Sequence, residues 1–159
     1  MKRYHVGDVF EVALSGQKKA FFQYACDDPS QLDSNIIRVF QDRYETDDTP
    51  DVQDILSGAV DFWAHVVLKL GTNMHLWKFY AKGSAPPLPS IHFRISSDYG
   101  NPSVTKSDNW WVWKVGEEHR FVGNDPKLLR VAEIGIVVNP KAVVERMHTG
   151  QYTFFFPVF

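Results

Sequence analysis

The side chains that could perform catalysis are few and scattered along this chain. Its single cysteine, Cys26, lies in the apolar setting YACDD, which predicts a buried thiol rather than a nucleophile. There is no GxSxG elbow and no phosphate-binding glycine loop. The six histidines show no metal-binding spacing: His5, His65, His75, His92, His119 and His148. We therefore predict no catalytic residue, no metal site and no cofactor.

Two arrangements keep an enzyme with a site assembled from dispersed residues as an alternative. Asp61 and His65 are four residues apart in a segment that alternates like a strand, so we expect both on one face. A carboxylate beside an imidazole is a common basis for acid–base chemistry. Glu117 and Glu118 precede His119, but their place in a predicted hairpin turn indicates a solvated tip.

The strongest chemical signal is a block of acidic residues. From Asp27 to Asp61 the chain carries ten acidic residues and two arginines, a net −8, whereas the remainder has 15 basic and 9 acidic residues, a net +6. The overall charge of −2 thus hides a polarised molecule. An acidic surface repels a phosphate backbone and attracts a basic protein. We predict a protein partner and no direct nucleic acid, with these acids in the binding surface: Asp42, Glu45, Asp47, Asp48, Asp51 and Asp54.

Tryptophans offer a second candidate surface. The stretch SDNWWVWKVG holds Trp110, Trp111 and Trp113, three of the five tryptophans of the chain. On a strand, Trp110 and Val112 face one side and the other two face the opposite side. We predict that Trp111 and Trp113 belong to the core and that Trp110, beside a turn-rich loop, is an aromatic anchor for the partner. A carbohydrate- or peptide-binding module that uses these rings for stacking is the other alternative.

The elements that position these residues are mostly strands. VFEVAL and AFFQYAC alternate around the turn SGQKK, and AVDFWAHVVLKLG, RVAEIGIVVN and QYTFFFPVF predict further strands. TPDVQDILSG and NPKAVVERMHTG each begin with a capping residue and proline and end in glycine, which predicts one short helix near 50–57 and one helix near 140–149. We predict an α+β, β-rich fold with a mainly antiparallel, strongly bent sheet or partly open barrel.

Length and composition are those of a soluble domain. With 159 residues, 44% hydrophobic and 23% charged, the chain can bury a core without a disulfide or metal. One cysteine excludes an intrachain disulfide and suits a reducing compartment. No apolar run is long enough to span a membrane. We predict one domain over residues 1–159, a cytoplasmic location and no membrane contact, and leave the oligomeric state open.

Two stretches carry a resemblance to a known family. They are VGDVFEVALSGQKKAFFQYACDDPSQLDSNIIRVF and VDFWAHVVLKLG, which together lie within residues 6–71. This part of the chain resembles the bacterial polymorphic-toxin immunity proteins known as immunity protein 26. The resemblance implies a small cytoplasmic protein that binds and neutralises a cognate toxin delivered by neighbouring cells. Its motifs are structural, so they carry over no site residues.

The acidic block is compatible with that implied function. Many toxins of such systems are nucleases, and a nuclease needs a basic cleft to hold phosphates. An acidic partner would be steered to that cleft and would compete with its substrate. The sequence thus predicts a non-catalytic immunity protein that acts through an acidic, partly aromatic surface.

Overall fold

The structure is a computed structural model that describes residues 3–159. Its strands are β1 (Val9–Ala13), β2 (Lys18–Asp28), β3 (Ser34–Phe40), β4 (Tyr44–Glu45), β5 (Val60–Val66), β6 (Lys78–Ala81), β7 (Phe93–Ser96), β8 (Trp110–Trp113), β9 (Arg120–Gly123) and β10 (Glu133–Ile134). Its helices are α1 (Val52–Leu56), α2 (Leu68–Asn73), α3 (Pro126–Val131) and α4 (Pro140–Thr149). None of these helices is both long and apolar enough to cross a membrane.

The strands divide into two sheets. The first, sheet A, has the order β5-β3-β2-β1-β6, with β4 also paired to β2, and all its pairs are antiparallel. Sheet B has the order β10-β7-β8-β9, and only β10 and β7 are parallel. The predicted α+β, β-rich and mainly antiparallel fold is confirmed. Within the described residues the strands form these two sheets and no closed barrel.

The hairpin of β1 and β2 forms the centre of sheet A. Phe10 lies opposite Phe22, and their rings stack at 5.1 Å. Because side chains alternate along a strand, Phe10 and Phe22 enter one hydrophobic cluster, whereas Val9 and Phe21 enter another. Both clusters are buried, so sheet A is covered on both faces. The predicted hairpin is confirmed. Its second strand, β2, lies in the middle of sheet A and carries apolar residues on both sides.

Helix α4 covers the larger cluster. Asn139 caps it by accepting a hydrogen bond from the Lys141 backbone N–H at 2.9 Å, and Gly150 ends it with φ of 82°. Val143 and Met147, one turn apart, are both buried against sheet A. Burial of each such side chain stabilises the fold by about 1.5–3 kcal/mol. The helix predicted near 140–149 is confirmed at both ends.

Helix α1 covers the opposite face of sheet A. Asp51, rather than the expected Thr49, caps it by accepting from the Gln53 backbone N–H at 2.8 Å. Ile55 is the buried residue of the helix and belongs to the cluster of Val9, Phe21 and Phe40. The predicted short helix near 50–57 is confirmed over residues 52–56. It holds the C-terminal end of residues 42–54, which we call the acidic segment, against sheet A.

The strand predicted over AVDFWAHVVLKLG is confirmed only in its first half. Strand β5 ends at Val66, and α2 begins at Leu68. The Trp77 indole donates to the Leu68 carbonyl at 3.0 Å, and its ring lies against Gly71, where an added Cβ would meet a ring carbon at 2.0 Å. This packing turns the chain back on itself. Alternation alone could not reveal it, because Trp77 lies outside the segment.

Two further predicted strands are mostly irregular. In RVAEIGIVVN only Glu133–Ile134 is a strand, although Val137 makes an isolated bridge with His65. QYTFFFPVF forms one bridge, between Val158 and Lys106. Both segments instead cover sheet faces with apolar side chains. Helix α3, capped by Asp125, was not predicted at all.

Candidate functional site

The acidic segment is an ordered part of the fold. Strand β4 pairs with β2 by placing Tyr44 opposite Lys19. The Lys19 side chain is buried, and its ammonium donates to the carbonyls of Thr46, at 3.0 Å, and Asp48. The Asp48 carboxylate in turn accepts from the Glu45 backbone N–H at 2.9 Å. The buried Lys19 ammonium therefore holds the backbone of residues 45–48 in one conformation.

The six predicted acids lie on the exposed surface of this segment, but they are not equivalent. Glu45 pairs with Lys18, and Asp48 and Asp51 accept backbone hydrogen bonds. The remaining carboxylates accept no hydrogen bond and form no ion pair with residues 3–159: Asp42, Asp47 and Asp54. We call these three the free acids. They are the carboxylates that a partner would meet unpaired.

Two tyrosines, Tyr44 and Tyr80, lie close to three of these acids, Asp42, Asp51 and Asp54. Burial raises the pKa of Tyr44, and the charges of Asp42 and Asp54 raise it further. Burial likewise raises the pKa of Tyr80, with contributions from Glu11 and Asp51. Acids from opposite ends of the segment thus act on the same tyrosine. The sequence alone left open whether the acids share a surface.

Both tyrosines are held in place by packing against a buried ring, and Tyr80 also by a hydrogen bond. Tyr44 and Tyr80 each meet the edge or face of the Phe21 ring, with centroid distances of 5.3 and 4.8 Å. The Tyr80 hydroxyl donates to the Pro50 carbonyl at 2.6 Å. Both are half-buried, so each presents part of a rigid ring at the acidic surface. Sequence reasoning missed them, although Tyr44 stands within the acidic run itself. We call the free acids with Tyr44 and Tyr80 the acidic surface.

The prediction of Trp110 as an exposed anchor is wrong. Trp110 is fully buried, and its indole donates to the Ser107 carbonyl at 2.8 Å. Its ring packs against Phe156, Phe159 and Leu129, which come from the C-terminal segment and α3. These elements cover the face of sheet B that carries Trp110. They are remote in sequence, so strand alternation could not reveal the cover.

The other two tryptophans differ from each other. Trp113 is in the core, as predicted, and its indole donates to the Asp28 carboxylate at 2.9 Å. Trp111 is only half-buried and contacts the exposed Phe121 ring at 5.3 Å. The core assignment of Trp111 is therefore only partly correct. Among the three tryptophans, Trp111 alone offers a ring for stacking.

The proposed Asp61–His65 pair is also wrong. Asp61 is exposed and lies 3.8 Å from the Arg43 guanidinium. His65 is fully buried, and its Nε2 lies 2.9 Å from the Asp28 carboxylate. Burial lowers the pKa of His65 more than Asp28 raises it, which favours a neutral imidazole that donates from Nε2. The carboxylate partner comes from the end of β2, which is 37 residues earlier in the chain.

Asp28 is the centre of a buried hydrogen-bond network. One carboxylate oxygen accepts from His65 and Trp113, and the other accepts from the Ser30 hydroxyl at 2.6 Å and the Ser30 backbone N–H at 3.0 Å. Burial acts to raise the pKa of Asp28, but the hydrogen bonds from Ser30, His65 and Trp113 outweigh it and hold the pKa below its usual value. We call these four residues the Asp28 network.

The geometry of the Asp28 network favours a structural role over catalysis. Four donors occupy the Asp28 carboxylate, so it has little capacity left to accept a substrate proton. His119 stacks on Trp113 at 3.9 Å, and its Nε2 lies 3.0 Å from the Ser30 hydroxyl. Because that hydroxyl donates its only proton to Asp28, His119 acts as donor to it and does not activate it. The network joins β2 and β5 of sheet A to β8 of sheet B.

The remaining candidates for chemistry are the Cys26 thiol and any cluster of metal-binding side chains. Cys26 is buried, as predicted, and burial raises the pKa of its thiol to about 11. Over residues 3–159, no three His, Cys, Asp or Glu side chains come together as a metal site.

Comparisons with known proteins do not assign this chain to a family. No protein-family model, curated protein or solved structure matches the chain. The resemblance to the immunity protein 26 family therefore stays a prediction.

Proposed function

We propose that this chain is a non-catalytic immunity protein that binds a cognate bacterial toxin in the cytoplasm and neutralises it through the acidic surface. The observation that carries the proposal is the set of three free acids, Asp42, Asp47 and Asp54, on a segment that a buried lysine holds in place. Unpaired carboxylates on an ordered backbone are arranged for a cationic partner.

The charge distribution supports a basic partner. The region from Asp27 to Asp61 carries a net −8 while the rest of the chain carries +6. Such polarity orients an approaching cationic protein and raises association rates by about 10- to 1,000-fold at low ionic strength. A nuclease toxin has a basic cleft for phosphates, so an acidic surface would block substrate binding there.

Tyr44 and Tyr80 replace Trp110 as the aromatic part of this surface. Tyrosine is enriched among residues that dominate binding energy, because it buries a large rigid ring and keeps a polar hydroxyl. Tyr44 is half-buried and lies beside two of the free acids, Asp42 and Asp54. A partner that contacts these acids would therefore also contact the ring.

The class of function is tested by co-expression. The C-terminal domain encoded immediately upstream of the gene is expressed in a bacterial host with and without this chain. We expect growth arrest by the domain alone and rescue by co-expression, with the two proteins co-purifying. An upstream domain without toxicity, or one whose toxicity this chain leaves unchanged, would refute the immunity function.

The role of the acidic surface is tested by a charge-matched pair of double variants. Asp47→Asn with Asp54→Asn removes two free acids, whereas Glu117→Gln with Glu118→Gln removes two exposed acids elsewhere. We expect the first variant to associate with the toxin domain about tenfold more slowly at low salt, and the second to change the rate little. Equal effects would show that only net charge matters, and no effect would refute the electrostatic part of the proposal.

A further inference from the structure

A cavity of about 640 Å³ lies between sheet B, the end of α4 and the C-terminal segment. None of the residues of the acidic surface lines it. Its volume falls within the range of small-molecule sites, about 300–1,000 Å³. Basic and aromatic side chains dominate its lining, which includes Arg94, Arg146, Glu133, Tyr152, Phe154 and Phe156.

Arg94 brings a positive charge to this cavity without a carboxylate partner. Its Nη1 donates to the backbone carbonyls of Leu129, at 3.1 Å, and Ala132. Its Nε is buried and has no hydrogen-bond acceptor within the described chain. The guanidinium forms no ion pair in residues 3–159 and lies over the rings of Phe159 and Trp110, at 5.4 and 6.0 Å. Buried cations are usually paired with an anion, and the Arg94 guanidinium has no such ion pair among the described residues.

Unlike Arg94, the neighbouring Arg146 forms an ion pair with a carboxylate. Its guanidinium makes two hydrogen bonds to the Glu133 carboxylate, at 3.0 and 3.2 Å. It also lies over the rings of Phe62 and Tyr152, at 4.1 and 4.8 Å. Glu133 is thus paired with Arg146; its charge also acts on Arg94, but it forms no ion pair with the Arg94 guanidinium. An exposed third arginine, Arg130, adds to the positive charge of the lining.

Tyr152 supplies a second unsatisfied donor. Its hydroxyl is buried and donates no hydrogen bond within residues 3–159, although the Arg146 guanidinium acts on its oxygen and opposes part of the rise in its pKa. Burial raises the pKa of Tyr152 to about 12, so the hydroxyl keeps its proton at neutral pH. A buried group without a partner costs free energy, and such groups are rare in folded proteins. Of the four buried side-chain polar atoms without a partner in the described residues, two, the Arg94 Nε and the Tyr152 hydroxyl, belong to side chains that line this cavity.

We propose that this cavity binds a small organic anion, a carboxylate carried on an aromatic body. The carboxylate accepts from Arg94 Nε and the Tyr152 hydroxyl, and the ring packs against Phe154 and Phe156. The carboxylate supplies the ion pair that no described residue forms with Arg94. The apolar body suits the phenylalanine-rich C-terminal segment that forms one wall. This site is independent of the proposed immunity function.

The test uses 3-phenylpropionate as probe, with calorimetry and intrinsic fluorescence as readouts. Trp110 reports on the site because the Arg94 guanidinium lies over its ring. We expect saturable binding of 3-phenylpropionate and at least about tenfold weaker binding of the neutral 3-phenylpropanamide, which has the same shape, as hydrogen bonds to charged groups are the stronger kind. Absence of saturable binding at millimolar concentration, or equal binding of acid and amide, would overturn the proposal.

Tyr152→Phe separates a binding role from a structural one. Since this hydroxyl donates no hydrogen bond within residues 3–159 and the Arg146 guanidinium keeps its pairing with Glu133, its removal should leave the fold intact. We expect the affinity for 3-phenylpropionate to fall about tenfold or more, because a hydrogen bond to the carboxylate is lost. Tyr44→Phe is the matched control, because Tyr44 is also half-buried and does not line the cavity, and it should bind as wild type. Wild-type affinity in Tyr152→Phe would overturn the assignment of the donors.

Arg94→Met provides a second check on the same site. It removes the charge but also two hydrogen bonds to carbonyls, so its fold is verified first by circular dichroism. In a folded variant we expect the preference for acid over amide to disappear. A folded variant that retains this preference would contradict the role of Arg94; if it does not fold, the acid–amide comparison and Tyr152→Phe decide.

Discussion

Replacement of Asp28 by alanine should be among the most destabilising single changes in this protein. Asp28 is 1% exposed, and its carboxylate accepts from two buried donors, the His65 ring and the Trp113 indole. Each donor left without a partner in the interior costs about 1–3 kcal/mol. Ser30 is exposed and regains water, so its two hydrogen bonds add little. The expected loss is therefore about 4 kcal/mol, against a typical total of about 5–15 kcal/mol.

Urea unfolding followed by circular dichroism measures this loss. With an m-value of about 2 kcal/mol per molar urea, Asp28→Ala should lower the midpoint by about 2 M. Asp47→Ala is the control, since Asp47 is exposed and makes no hydrogen bond or ion pair in the described chain. It should stay within about 0.5 kcal/mol of wild type. If Asp28→Ala shifted the midpoint no more than Asp47→Ala, the Asp28 network would not hold the two sheets together.

Two further predictions concern the same region. Because burial lowers the pKa of His65 and His119 in the folded chain, the unfolded chain takes up protons first as the pH falls. Stability should therefore decrease below about pH 6.5, by up to about 1.4 kcal/mol per pH unit for the fully buried His65 and by less for the partly exposed His119, and an unchanged urea midpoint between pH 7.5 and 5 would contradict this. Gly135→Ala places a Cβ 2.2 Å from the Trp113 ring and should destabilise by about 1–3 kcal/mol, whereas an unchanged midpoint would show that the ring can move aside.

Local signals in the sequence were sufficient for α4 and for the first hairpin. Asn139 and Gly150 mark the ends of the helix through capping and a left-handed φ, both of which depend only on neighbouring residues. The hairpin follows from alternation around a glycine-containing turn. In contrast, β5 gives way to α2 because of Trp77, which acts from outside the segment.

The candidate sites depended on contacts between distant parts of the chain. Trp110 was misplaced because its cover comes from α3 and the C-terminal segment, more than ten residues further along. The carboxylate partner of His65 is Asp28 rather than Asp61, because spacing along one strand does not show what the other strands of the same sheet bring close to it. The acidic block itself was visible in the composition. That Asp42 and Asp54 both act on Tyr44 depends on the fold of this segment, including the pairing of β4 with β2.

The buried ammonium of Lys19 has a thermodynamic consequence for binding. It donates to the carbonyls of Thr46 and Asp48, so the loop between β4 and α1 loses its backbone freedom when the protein folds. Ordering a flexible backbone costs about 1–2 kcal/mol per residue. The partner proposed for the acidic surface would therefore meet a segment whose ordering entropy has already been lost, and the free energy of its contacts would go into affinity.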